Sequence, residues 1–243
     1  MSMSEHLDNL IARWTRLGAG FSAESLPQTP DLERLILDTA RHGPEMARLF
    51  IMAVTWLHLY GDLVARHRLR RLAREELEPQ HHPSLGLMLD LAQRDAHTRR
   101  FGTIIRALPA DAHPRPLFDV ERTGPLLIAR AERRADPLSR HWGRWCESIE
   151  LKHDALRPAR WILANNPSLA ARADFRGDLR ASVLASLAHD RDAGESELGL
   201  ARRAGGSRAQ VRNSLECLEL TGRVRRLRGV RSHHTRIELV AAA

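Results

Sequence analysis

Two adjacent glycines, Gly205 and Gly206, interrupt a stretch that otherwise favours helix, SELGLARRAGGSRAQVRNSLECLELTGRV from Ser196 to Val224. Ser207 follows them, three residues before Gln210. In this S-x-x-Q relation each side chain satisfies the other residue's backbone N–H, so a helix starts there. Val211, Leu215 and Leu218 stack on one face of it at intervals of four and three. Gly222, which can take positive φ, ends it. Ser196 opens the shorter helix before the glycines. Gly199 stands where its capping box needs an acid or amide, which makes that helix the weaker of the two. Two short polar helices around a tight turn bury little alone. They need a third, which Leu179, Val183, Leu184 and Leu187 supply, with His189 to Gly194 as the polar turn between.

After Gly222, Ile237 and Leu239 alternate with Arg236 and Glu238, as in an antiparallel strand with one wet face. Arg223 to Arg228 supply its partner, and Gly229 to His234 form a basic loop between them. Between Gly199 and Arg236 ten arginines stand against two acids, Glu216 and Glu219. That local excess of eight equals the formal charge of the whole chain, +8, so the remainder nets to zero. Lys152 is the only lysine. Guanidinium forks match phosphate oxygens, and charge segregated in this way suits the backbone of a nucleic-acid duplex.

The run from Leu200 to Val211, followed by Ser214 to Gly222, resembles the helix-turn-helix of bacterial winged-helix transcription regulators. The resemblance covers about residues 175–240. It departs from the pattern at Gly199 and at Gly206, where such turns more often carry an apolar residue. It implies a C-terminal winged helix-turn-helix domain whose third helix docks by its N-terminal part in the major groove. Arg208 and Arg212 would then reach guanine edges or flanking phosphates, Asn213 an adenine and Ala209 a thymine methyl. Ser207 would cap the helix and meet a phosphate. Arg225, Arg228 and Arg231 would follow neighbouring phosphates or enter a minor groove.

The preceding residues read as helix after helix, and the first 170 match no family clearly. Ser4 caps a first one, with Leu7, Leu10, Ile11, Trp14 and Leu17 on one face, and residues 18–30 form a loop. Leu32, Leu35 and Ile36 mark a second that stops at Gly43-Pro44. A third, from about Glu45, carries Met46, Leu49, Phe50, Ala53, Trp56, Leu57 and Tyr60 around most of its circumference, as a central helix does. Arg66, Arg70 and Arg74 form a basic ladder that reads as a solvated face, with Glu75, Glu76 and Glu78 beside it. Helices are expected over 84–96 and 98–108, a proline-rich connector over 109–125, and helix again from Leu126. Trp142, Trp145 and Trp161 are expected in packing rather than as a base-stacking surface.

Catalytic constellations are thin. Asp119, Glu121, Glu150 and Lys152 hold the letters of a metal-dependent nuclease, but among helical patterns and prolines they read as surface charge. His81-His82 and His233-His234 are vicinal pairs without further ligands at metal-site spacing. There is no glycine-rich loop before a lysine and no G-x-S-x-G. Cys217 reads as structural. Two cysteines make no disulfide framework, which fits a reducing compartment. The strongest apolar run, Leu49 to Tyr60, is too short for a membrane span.

The chain is therefore expected to be mainly α, with a multi-helical domain over residues 1–173 and a winged helix-turn-helix domain over 174–243. The expected function is that of a cytoplasmic, sequence-specific regulator of transcription that binds double-stranded DNA, a repressor rather than an activator. It is expected to be a homodimer with no enzymatic activity, cofactor or metal, its helical domain serving dimerisation, a protein partner or an effector. The rival expectation is a non-catalytic DNA-binding or scaffolding subunit of a larger bacterial system, such as phage defence or toxin–antitoxin control. A third, an enzyme tethered to DNA, would need acids gathered by the fold without a sequence motif.

Overall fold

Apolar residues at helical spacing turn most of this chain into helix. The computed structural model describes residues 3–94, 99–120, 124–228 and 235–240. Along them run α1 (Met3–Arg16), α2 (Leu32–His42), α3 (Ala47–Tyr60), α4 (Arg66–Glu75), α5 (His82–Ala92) and α6 (Gly102–Ile105). Then follow β1 (Arg115–Pro116), α7 (Pro125–Arg133), α8 (Pro137–His141), β2 (Arg144–Trp145), α9 (Ala159–Asn165), α10 (Pro167–Ala170), α11 (Leu179–His189), α12 (Glu197–Ala204), α13 (Arg208–Leu220), β3 (Val224–Arg228) and β4 (Thr235–Leu239). The chain is mainly α, as its sequence predicts.

These residues divide into two compact units. One holds Met1–Pro30, Arg34–Gly61 and Glu76–Ile162; the other holds Asp31–Glu33, Asp62–Glu75 and Leu163–Ala243. The second unit thus joins residues 163–243 to residues 62–75, which carry α4, and to Asp31–Glu33 at the start of α2.

The first unit is organised around α3. Leu49, Phe50, Ala53, Trp56 and Leu57 are fully buried on it. Trp14 meets Trp56 edge to face at 5.8 Å, and both indoles are satisfied, by Thr39 Oγ1 and by the Leu17 carbonyl, each at 2.9 Å. Trp142 and Trp145 are buried, while Trp161 is partly exposed, with Arg157 over its ring. The Trp142 ring lies so close to α5 that a Cβ on Gly86 would fall 2.2 Å from it. The sequence differs from the structure in three places here. Helix α1 begins before Ser4, the helix expected over 98–108 is the four-residue α6, and the connector contains β1, paired in parallel with β2. A two-residue ladder leaves no periodicity in a sequence, which is why it was not legible there.

In the second unit α11, α12 and α13 enclose a core of Leu184, Leu200, Ala204, Val211, Leu215 and Leu218, closed by Val224 and Ile237 of an antiparallel β3–β4 pair. Ser207 and Gln210 form the reciprocal capping box of α13. Its other end is a Schellman turn: Arg223 N–H donates to Leu218 O and Gly222 N–H to Glu219 O, with Gly222 at φ +66°. Ser196 accepts from Gly199 N–H at 3.0 Å, half a capping box. Gly206 is explained by its neighbour. A Cβ there would meet the Leu179 side chain at 2.8 Å, so α11 supplies the apolar group that the turn itself lacks.

A buried ion cluster ties the three chain segments of this unit together. The Arg68 guanidinium, fully buried, donates to Asp31 (2.6 Å, twice), Glu33 (3.0 Å) and Asp190 (2.8 and 3.1 Å). Arg172 donates to both Glu33 oxygens at 3.1 Å. Burial alone would depress the Arg68 pKa; the hydrogen bonds to Asp31 and Asp190 outweigh it and raise the pKa, so the cation is held charged.

Candidate nucleic-acid interface

The exposed side of α13 follows from its buried one. With Val211, Ser214, Leu215 and Leu218 turned inward, the helical repeat leaves Arg208, Ala209, Arg212, Asn213 and Glu216 in solvent, beside the exposed N-cap Ser207. The structure thus brings the first five sequence-predicted contact residues together on the first turns of one helix. Arg225 lies on β3 opposite Glu238, side chain exposed. Arg228 closes β3, its side chain outside the described residues. Arg231 and the loop 229–234 lie outside them altogether, as do Glu121 and the His233-His234 pair.

The charge on this surface is organised by acids that a count between Gly199 and Arg236 leaves out. Glu197, in the first turn of α12, reaches toward three arginines. Its carboxylate accepts from Arg212 at 3.1 and 3.3 Å and lies 3.8 Å from both Arg208 and Arg226. Arg226 also lies 3.4 Å from Glu219. Glu238 pairs with Arg225 at 2.9 Å and with Arg236 at 3.1 Å. With Glu197 and Glu238 included, ten arginines stand against four acids, and the surface is basic but internally paired. Glu197 is the residue that sequence reasoning missed. Its signal, an acid immediately after the Ser196 cap, reads as ordinary helix-dipole compensation.

Ile237 is buried at 2 % exposure, whereas Leu239, expected on the same dry face, is 37 % exposed, so β4 covers the core only at its middle. Cys217 is partly exposed, with Arg180 Nη1 donating to its sulfur at 3.4 Å.

Among the described residues, no group of three His, Cys, Asp or Glu is placed to hold a metal ion. The Glu150 carboxylate is taken by Lys152 at 2.5 Å, an exposed ion pair. His82 faces the Leu77 carbonyl at 3.2 Å through Nε2. Among the described residues, no helix is long and apolar enough to cross a membrane.

No protein-family model, curated protein or solved structure matches the chain.

Proposed function

We propose that the chain is a cytoplasmic, sequence-specific regulator of transcription that binds double-stranded DNA through its C-terminal unit, with α11–α13 and β3–β4 acting as a winged helix-turn-helix. The observation that carries this reading is the α13 face. Two arginines, an asparagine and a small apolar residue are presented together on the first turns of a helix whose other side is fully buried. Those side-chain types match guanine, adenine and thymine-methyl edges in the major groove, while Arg225 on the neighbouring hairpin supplies charge for phosphate. A repressor fits best, because occupancy of a promoter suffices to block it.

The test is selection of bound duplexes from a randomised pool, followed by competition binding at fixed salt. The double change Arg208→Ala and Arg212→Ala should lower preference for the selected site more than affinity for random duplex. Changing Arg225, Arg228 and Arg231 should weaken both. Equal losses on both DNAs for the helix pair would remove the base-reading assignment.

A two-fold dimer is part of the proposal, since paired half-sites about one helical turn apart are the common operator geometry. The apolar α3 is consumed by its own core, whereas α7 has no buried residue and exposes Leu126 (86 %) and Leu127 (60 %). Sedimentation equilibrium should give twice the 27.5 kDa protomer mass. A monomer that stays one-to-one with its DNA would instead favour a subunit of a larger bacterial system, with α7 turned toward another protein.

A further inference from the structure

Helix α4 belongs to the same compact unit as α11–α13, although more than a hundred residues separate them in the chain. It is fixed there by contacts on several sides. Arg68 is buried in the ion cluster, and Arg66 donates to the carbonyls of Arg176 and Gly177 at 2.5 and 3.1 Å. Arg71 donates to the Arg203 carbonyl at 2.8 Å. The turn between α12 and α13 rests directly on α4: a Cβ on Gly205 would lie 2.5 Å from the His67 carbonyl and 3.5 Å from the Arg71 Cβ.

His67, Arg70, Arg71 and Arg74 fall at i, i+3, i+4 and i+7, one face of the helix. His67 and Arg71 touch the turn. Arg70 and Arg74 therefore stand at the margin of that same face, both exposed, the Arg74 side chain at 78 %. Ser207 and Arg208, the end of α13 assigned to the groove, begin two residues after Gly205. The acids that make the arginine ladder read as a balanced, solvated face are largely engaged with other residues. Glu76 pairs with Arg34 and Glu78 with Arg41, leaving Glu75 to Arg71 and Arg74.

From this placement we infer that α4 is a second phosphate-contacting element, in which Arg70 and Arg74 grip the duplex backbone just beyond the base pairs covered by α13. The inference rests on the duplex-binding reading above. Its chemistry is sequence-independent: two guanidinium groups, carried on a helix anchored to the reading head, displace counterions from phosphates without seeing bases. Arg70 and Arg74 thus lengthen the footprint on one flank without adding to base preference.

The test compares the full chain with its Arg70→Gln/Arg74→Gln variant. Binding to a mixed-sequence duplex about three helical turns long is followed by fluorescence anisotropy across a salt series. Loss of two phosphate contacts per protomer should make the slope of log affinity against log salt shallower by about 1.8 for each protomer bound, so that the parent loses about tenfold more affinity per protomer than the variant between about 50 and 200 mM salt. Hydroxyl-radical footprinting on a selected duplex should show protection receding from one flank of each half-site, symmetrically in a two-fold dimer, with base preference unchanged. Both side chains are exposed, so the melting temperature should be unaffected; the Ala/Ala pair repeats the test should the Gln variant melt early. Equal slopes and equal footprints for a parent that binds DNA would overturn the role of α4 and leave the duplex reading standing. A parent that binds no duplex would overturn that reading, and this inference with it.

Discussion

Glu197 places a negative charge at the centre of the surface on which the proposed function depends. Its carboxylate lies between Arg212 and, at longer range, Arg208 and Arg226, so those guanidinium groups are partly neutralised and partly aimed before any ligand arrives. A phosphate must compete with that carboxylate, whereas a base edge lying beyond it need not. Glu197→Gln should accordingly tighten binding to random duplex several-fold while lowering the preference for a selected site by about tenfold, the equivalent of about 1.4 kcal/mol. Competition binding at one salt concentration reads both, and a parallel fall of the two affinities would refute a positioning role. Arg68 makes the opposite kind of contribution. Removing it leaves Asp31, Glu33 and Asp190 facing one another in a buried site, which costs far more than the pairing itself is worth. Arg68→Met should destabilise the second unit by about 3–5 kcal/mol, measured by denaturant unfolding followed at helical signal.

At the scale of single elements, α4 and α11 each carry a histidine whose protonation folding disfavours. Burial lowers the pKa of His67, with Arg70 and Arg66 adding to the effect, and burial likewise lowers that of His189. His67 Nδ1 and His189 Nε2 are shut away without a hydrogen-bond partner among the described residues. The folded pKa lies below the unfolded one, so between the two values the unfolded chain binds more protons. Stability from this source is present above about pH 6.5, the ordinary histidine value, and is lost as pH falls below it through the lowered values. The melting temperature should drop between about pH 7.5 and 5.5, and the His67→Gln/His189→Gln variant should flatten that decline. These elements also show what a sequence makes legible. The capping box at Ser207, the stripe Val211–Leu215–Leu218, the stop at Gly222 and the cover provided by α11 are all local patterns and read directly. The membership of α4 in the second unit is not, because the pairing of Arg68 with acids distant in the chain has no period or spacing. For the site, the exposed face of α13 was legible from its buried one. The pairing of Glu197 with its three arginines depends on how α12, α13 and β3 meet, and only the fold reveals it.

Taken as a whole, the C-terminal unit is not the C-terminal part of the chain. A fragment of residues 174–243 keeps α11–α13 and the β3–β4 pair but loses α4, Arg172, Asp31 and Glu33. Asp190 is left without Arg68, and the start of α11 and the Gly205 turn lose their cover. That fragment should melt far below the full chain or show no cooperative transition by circular dichroism; a fragment as stable as the parent would show the ion cluster and α4 to be dispensable. The same arrangement sets an order on biosynthesis. Arg68 and Asp190 are 122 residues apart, so at about 5–20 residues per second the ribosome needs roughly 6–24 s to deliver the carboxylate after the guanidinium has been made. For that interval Asp31, Glu33 and α4 belong to a unit whose remainder has not been translated. Any message that stalls before Asp190 releases a product in which Arg68 lacks one of its three carboxylate partners and α4 lacks the helices that cover it, a ready substrate for chaperones and proteases.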